Sequence, residues 1–276
     1  MSKLIKTLNP DSSNVVQLFD ASGHVIKTSA PVDALNAEFP YSQVSNRYNQ
    51  VKTIEVVRAL ESDNWEVAKY KEASTRDPNK RGFQKHFVWM RPKGGQNQIN
   101  VGDTEMRLLL TNSHDGSSAF RLQAGLHRMV CSNGLVVSMG DFQYISIRHT
   151  NEEIEQEAID SAYKIAAMAP KINNIISKLQ DLEISPSMQL SFARDAAAIV
   201  WDKNPDYVNV SELVRERRNS DKGDSLWSVY NRVQENLVRG GLSVIGSRRR
   251  TRGINSPVRD VEVNKALFEL AVKYAA

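Results

Sequence analysis

The hydrophobic period of this chain changes once, near Thr150, and that change restricts the fold more than any other feature. Upstream, apolar residues fall at alternate positions: Phe83, Phe87 and Trp89, then Met106, Leu108 and Leu110, then Phe120, Leu122, Ala124 and Leu126. A period of two lines one face of a strand. Downstream the spacing becomes helical, through Ile154, Ala158, Ala162, Ile165, Met168, Ile172, Ile175, Leu179 and Leu182. Strands gathered before helices predict an α+β fold: a mostly antiparallel β-sheet of about five or six strands with a short preceding helix, followed by a C-terminal helical region of about four helices.

Local signals set the expected boundaries. Ile54, Val57 and Leu60 predict a short helix over Thr53–Leu60, and Trp65–Tyr70 has strand character. Asp115-Gly116, inside the run Asn112–Ser118, is a tight-turn dipeptide and predicts a hairpin. Asn133-Gly134 and Gly140-Asp141 mark further turns around Leu135–Met139, ahead of Phe142–Arg148. Thr150 with Glu153 reads as a capping box, and Pro170 predicts a kink or break near Ala169. Ser185-Pro186 opens a helix with Met188, Phe192, Ala196 and Ile199 on one face. Asp224 is expected to cap the next, with Leu226, Val229, Val233 and Leu237 inward and Gly240-Gly241 as its stop. The last helix is expected from about Asp260 to Tyr274. The organisation expected is an N-terminal arm or small hairpin over 1–41, a sheet core over 42–150 and a helical region over 151–276.

Charge is distributed unevenly. The segment Leu237–Arg259 holds Arg239, Arg248, Arg249, Arg250, Arg252 and Arg259, four glycines, and no Asp, Glu or Lys. Its charge of +6 against +4 for the whole chain leaves 4 − 6 = −2 for everything else. Guanidinium binds phosphate oxygens in pairs, so phosphate is the first ligand to expect. The glycines do not have Walker spacing with a following Lys-Ser/Thr, which argues against a nucleotide-binding loop. A solvated loop, or one that meets acidic groups of another subunit, is the alternative reading. Lys80, Arg81, Lys85 and Arg91 form a second basic group, interleaved with Phe87 and Trp89, although alternating aromatics on a strand most often point into a core.

Of 276 residues 41% are hydrophobic and 25% charged, a globular composition, and the one cysteine, Cys131, excludes an intrachain disulfide framework. No stretch has signal-peptide or membrane-spanning character, so a cytoplasmic location without membrane contact is expected. The five histidines are scattered outside any metal-binding spacing, and no metal, cofactor or catalytic residue is assigned. Asp103 and Glu105 loosely suggest nuclease carboxylates but read better as solvent-facing decoration. His127 and Cys131 offer a nucleophile and base, with His86, His114 or His149 as other bases. In a strand His127 and Cys131 stand about 13 Å apart, and a buried inert thiol is the favoured state.

Several strings resemble a known family. Ser45-Asn46-Arg47-Tyr48 ahead of a short helix and Trp65, Ala124-Gly125-Leu126 through Val130-Cys131-Ser132-Asn133-Gly134-Leu135, Asn231 through Gly241, and Thr251-Arg252-Gly253-Ile254 are similar to those of the phage- and plasmid-borne domain of unknown function 932. The resemblance implies a mobile-element protein and confers no reaction. The order helix, strand-opening tryptophan, strand meander and long helix is also similar to the core of single-strand annealing proteins, which form rings or filaments on single-stranded DNA.

The expected function is therefore an oligomeric nucleic-acid-binding protein of a phage or plasmid, binding or annealing single-stranded DNA in recombination. Arg248, Arg249, Arg250 and Arg252 would lead, with Arg239, Arg259, Lys80, Arg81, Lys85 and Arg91 behind them. A protein-interaction module that antagonises a host defence system through a host protein partner is the alternative, and an enzyme using Cys131 or His127 comes third.

Overall fold

A computed structural model describes residues 18–19, 25–26, 34–45, 48–94, 100–101, 104–128, 134–136, 145–146, 154–201 and 204–276. The chain divides into two compact units, one of residues 1–129 with 140–168 and the other of 130–139 with 169–276. Both the sheet-then-helix order and the α+β class hold.

In the first unit a two-stranded piece, β1 (Leu18–Phe19) with β2 (Val25–Ile26), precedes α1 (Thr53–Ser62). Four long antiparallel strands come next in the order β3 (Trp65–Glu72), β4 (His86–Pro92), β6 (Thr104–Asn112) and β7 (Arg121–Arg128). The short β5 (Asn100–Val101) pairs with β6, and β9 (Ile145–Ser146) with β7. The sheet thus rests on four long strands, slightly fewer than the period-two count implied, because the apolar runs after Asn133 contribute only short pieces among the described residues. The hairpin expected at Asp115-Gly116 joins β6 to β7, with Gly116 at φ 75°.

Register gives the sheet two different faces. Val67, Tyr70, Val88, Met90, Leu108, Leu110, Leu122 and Ala124 share one face, on which α1 and α2 (Ile154–Ala166) pack. Fully burying such side chains stabilises by roughly 1.5–3 kcal/mol each. The opposite face carries Glu66, Lys69, Arg91, Trp89, Phe87, Glu105, Arg107 and Gln123. Phe87 and Trp89 stack at 6.0 Å and are themselves buried, as alternating aromatics favour.

A polar network ties the start of α1 to the end of the sheet. His86 Nδ1 donates to the Gln84 carbonyl (3.0 Å), which leaves Nε2 to accept from the Thr53 hydroxyl at 2.8 Å. Thr53 Oγ1 in turn accepts from Asn112 Nδ2 at 2.9 Å, and His114 Nδ1 meets Gln50 Nε2 at 3.1 Å. Both rings are fully buried and 5.1 Å apart. Burial, then the neighbouring His114, push the His86 imidazole down to about 3, so it stays neutral.

The long helix breaks where Pro170 predicts. α2 ends at Ala166 and α3 (Ala169–Asp181) starts a short step later, with Pro170 inside its first turn, where a missing N–H costs no hydrogen bond. α4 (Pro186–Val200) has the expected Ser185 cap, its hydroxyl accepting from Met188 N at 3.3 Å. Its buried stripe is Gln189, Phe192, Ala193, Ala196 and Ala197, and Met188 is exposed, a shift from the expected face. α5 (Leu226–Arg239) is capped by Ser225 rather than Asp224, and α6 (Pro257–Tyr274) begins earlier than expected because Ser256 caps it. The short β8 (Gly134–Val136) lies against α6. Among the described residues no helix is long and apolar enough to cross a membrane.

Candidate nucleic-acid interface

The arginine segment starts where α5 stops. α5 is buried almost all round, over Leu226–Trp227 and Val229–Leu237, so the polar residues of its second half must find partners inside the protein. Asn236 Nδ2 donates to the Leu213 and Arg215 carbonyls at 2.8 and 2.9 Å, and its Oδ1 accepts from Arg217. Glu235, 3% exposed, accepts a two-pronged contact from Arg218 (3.0–3.2 Å) and forms an ion pair with Arg239 at 3.0 Å. Gln234 Nε2 donates to Asn264 Oδ1 at 2.6 Å. The string Asn231–Gly241 is thus a rigid base for the arginine segment.

Gly240 ends the helix with φ 70°. A Cβ there would lie 2.5 Å from the Arg252 carbonyl carbon, and one on Gly253 would lie 2.9 Å from the Arg239 oxygen. Two glycines therefore let the outgoing and returning backbones touch. Between them the chain forms a hairpin. Thr251 N donates to Leu242 O (2.9 Å), Val244 N to Arg249 O (3.1 Å) and Ser247 N to Val244 O (3.2 Å), with Gly246 at φ 70° in the turn. Ser243 bridges Arg250 across it. The Gly-punctuated stretch is an ordered hairpin, in which Gly240 and Gly253 answer a close approach and Gly246 a turn.

The six arginines separate by partner. Arg239 is held by Glu235, one helical turn back. Arg259 donates to the last carbonyls of α4, Ile199 and Val200, at 3.1 Å each, and lies 3.9 Å from Glu262. Such contacts complement the negative end of a helix. Arg250 Nη1 donates to Gly241 O at 2.7 Å. Glu212 lies nearby, held below its usual carboxylate range by hydrogen bonds from Ser243 and then by the charges of Arg250 and Arg215. Arg248, Arg249 and Arg252 are exposed, and among the described residues none of them reaches a carboxylate within ion-pair distance.

The second basic group is mostly engaged. Arg91 binds Glu66 at 2.6 Å, Lys80 lies 3.7 Å from Asp115 and 5.8 Å from the Tyr41 ring, and Lys85 stands 5.8 Å over Phe87. Arg81 is exposed. The Phe87 and Trp89 rings beside them are closed to solvent, so this face presents no open ring to a base.

The other chemical candidates fall elsewhere. Cys131, Asp103, His149 and the Thr150–Glu153 box lie outside the described residues, as does the side chain of His127. Glu105 is buried in an ion pair with Arg107 at 2.7 Å, and is not solvent-facing decoration. His86 and His114 are committed to the Thr53 network. Among the described residues no group of three or more His, Cys, Asp or Glu could hold a metal ion.

The scaffold string Asn231–Gly241 and the return Thr251–Ile254 fall within the part of the chain, residues 40–268, that matches the family model "Domain of unknown function (DUF932)". The chain belongs to the DUF932 family. It is 30% identical over 243 residues to UPF0380 protein YfjQ and, separately, to UPF0380 protein YafZ, both of Escherichia coli (strain K12). Each match covers 87% of this chain and 87% of the relative. No solved structure matches this DUF932 chain. The match takes in the sheet, the scaffold helix and the arginine hairpin, so the site is built from the family's own portion of the chain.

Sequence reasoning could not see two parts of this site. Glu212 comes from far upstream, and the exposed Tyr207 beside the hairpin and Ile245 within it have no motif to mark them. Glu235, by contrast, stands one helical turn before Arg239 and was legible as an i,i+4 pair.

Proposed function

We propose that this protein binds nucleic acid, single-stranded DNA in preference, through the arginine hairpin, as an oligomeric phage- or plasmid-type protein that binds or anneals strands in recombination. One observation carries the reading: among the described residues Arg248, Arg249 and Arg252 are exposed without a carboxylate partner, on a hairpin whose backbone is held by hydrogen bonds and by the close approach of residues 239–240 to 252–253. Exposed guanidinium groups carried on an ordered backbone can take phosphate oxygens in pairs and release their counterions. Binding of this kind involves no covalent step. Arg250 contributes partially, because Glu212 shares its charge. Arg239, Arg259, Arg91, Lys80 and Lys85 act mainly in holding the protein together.

The test is the affinity for a labelled single-stranded oligonucleotide as a function of salt. Replacing Arg248, Arg249 and Arg252 together by Ala should weaken binding and reduce the slope of log K against log salt by roughly 2, as expected for three lost phosphate contacts on a single strand. An unchanged slope removes the hairpin from the mechanism. A host protein captured after nuclease treatment, with no direct oligonucleotide binding, would favour the protein-interaction reading instead.

A further inference from the structure

The hairpin has an apolar neighbour that phosphate binding leaves unused. Val208 bridges Val244, Asn209 N donates to Ser243 O and Ile245 N donates to Tyr207 O, both at 3.1 Å. Val208 is thus held by a single bridge against the outer edge of the hairpin, directly after the 3₁₀ turn Pro205–Tyr207. The Ile245–Tyr207 backbone bond sets these two residues beside each other, and both are exposed while Val208 is buried. Arg250, whose bridge partner Ser243 accepts the Asn209 N–H, is exposed in the same part of the hairpin.

The two side chains are open to solvent, Tyr207 by 39% and Ile245 by 59%. Trp201 backs the tyrosine, with ring centroids 5.6 Å apart and planes inclined by 30°. Two carboxylates of the neighbouring segment are engaged: Asp206 binds Arg194 at 2.8 Å, and Glu212 accepts the Ser243 N–H at 2.9 Å. An exposed ring, stiffened from behind and beside an exposed aliphatic residue, thus borders a surface rich in guanidinium.

We infer that Tyr207 is a base-stacking subsite, on which one unpaired nucleobase of a single strand lies against Ile245 while the hairpin arginines hold the phosphates beside it. The inference rests on the nucleic-acid reading above and gives its preference for single strands a physical source. Paired bases expose their edges and hide their faces, so only an unpaired base can cover the ring. Charge complementarity favours the polyanion over an apolar peptide, which would leave the arginines unanswered.

The experiment compares the full chain with Tyr207→Ala, Tyr207→Leu, Tyr207→Phe and Tyr207→Trp on a labelled thymidine oligonucleotide and on a duplex of the same length. Alanine and leucine should each weaken single-strand binding about tenfold without changing the salt slope or duplex affinity, while phenylalanine and tryptophan retain it. Leucine keeps the packing on Trp201, so a loss shared with alanine reports the ring and not the fold. Tryptophan at 207 should also lose fluorescence when a base stacks on it. Wild-type single-strand affinity in the alanine and leucine variants overturns the subsite, and so does an equal loss on both nucleic acids. If the triple arginine variant still loses affinity in those cases, the nucleic-acid reading stands without it. A wild-type chain that binds neither oligonucleotide overturns both.

Discussion

His86 shows how one buried side chain makes the fold sensitive to acid. Its pKa of about 3 in the folded protein compares with about 6.5 when unfolded. The folded value is depressed, so between these limits the unfolded chain binds the extra proton. Stability is complete above pH 6.5 and is lost as pH falls toward 3, at up to about 1.4 kcal/mol per pH unit. Unfolding midpoints in denaturant measured between about pH 7.5 and 4.5 should therefore decline, and His86→Asn should flatten that decline while lowering stability at neutral pH. An identical decline in the variant would assign it to other groups. The sequence shows this histidine but not its burial, which depends on α1 supplying Thr53 and on β6 and the turn after it supplying Asn112 and His114 around it. The arginines divide in the same way. The Arg239–Glu235 pair is local, whereas the neighbourhood of Glu212 and Arg250 depends on a contact between distant segments.

Helices and strands were legible to the extent that their signals are local. Ser185, Pro170 and Asp115-Gly116 mark their cap, break and turn because each acts on the backbone within a few residues. α5 is different. Its apolar stripe at Leu226, Val229, Val233 and Leu237 suggests one inward face, yet Glu235 and Asn236 are buried as well, because Arg217 and Arg218 come from the preceding loop to satisfy them. The stop at Gly240 is both local and tertiary: φ 70° disfavours any L side chain, and a Cβ would lie 2.5 Å from the Arg252 backbone. Gly240→Ala should cost roughly 2–4 kcal/mol and lower the melting temperature, with oligonucleotide affinity falling as the hairpin shifts. Gly241→Ala meets open space around its Cβ, so it feels the positive φ alone and should cost less, about 1 kcal/mol. Equal losses at the two positions would argue against the backbone contact.

Each compact unit has its own core, the first between one sheet face and α1 with α2, the second around α5. The net charge of +4 is modest although the arginine segment alone carries +6, so copies of the chain repel one another weakly while each offers a local cation cluster. Under the proposed function, light scattering should show several copies gathering on a long single-stranded oligonucleotide, with mass rising with its length. A saturated complex holding one copy at every length would remove annealing from the proposal and leave simple binding. The order of strands and helices, the Ser185 cap, the break at Pro170 and the excess of arginine were determined by the sequence itself, since propensity, hydrophobic period and charge act over a few neighbouring residues. Which arginines remain unpaired, and that Tyr207 stands beside Ile245 near them, were decided only by the tertiary structure, because long-range register and buried polar partners bring together residues that share no local signal.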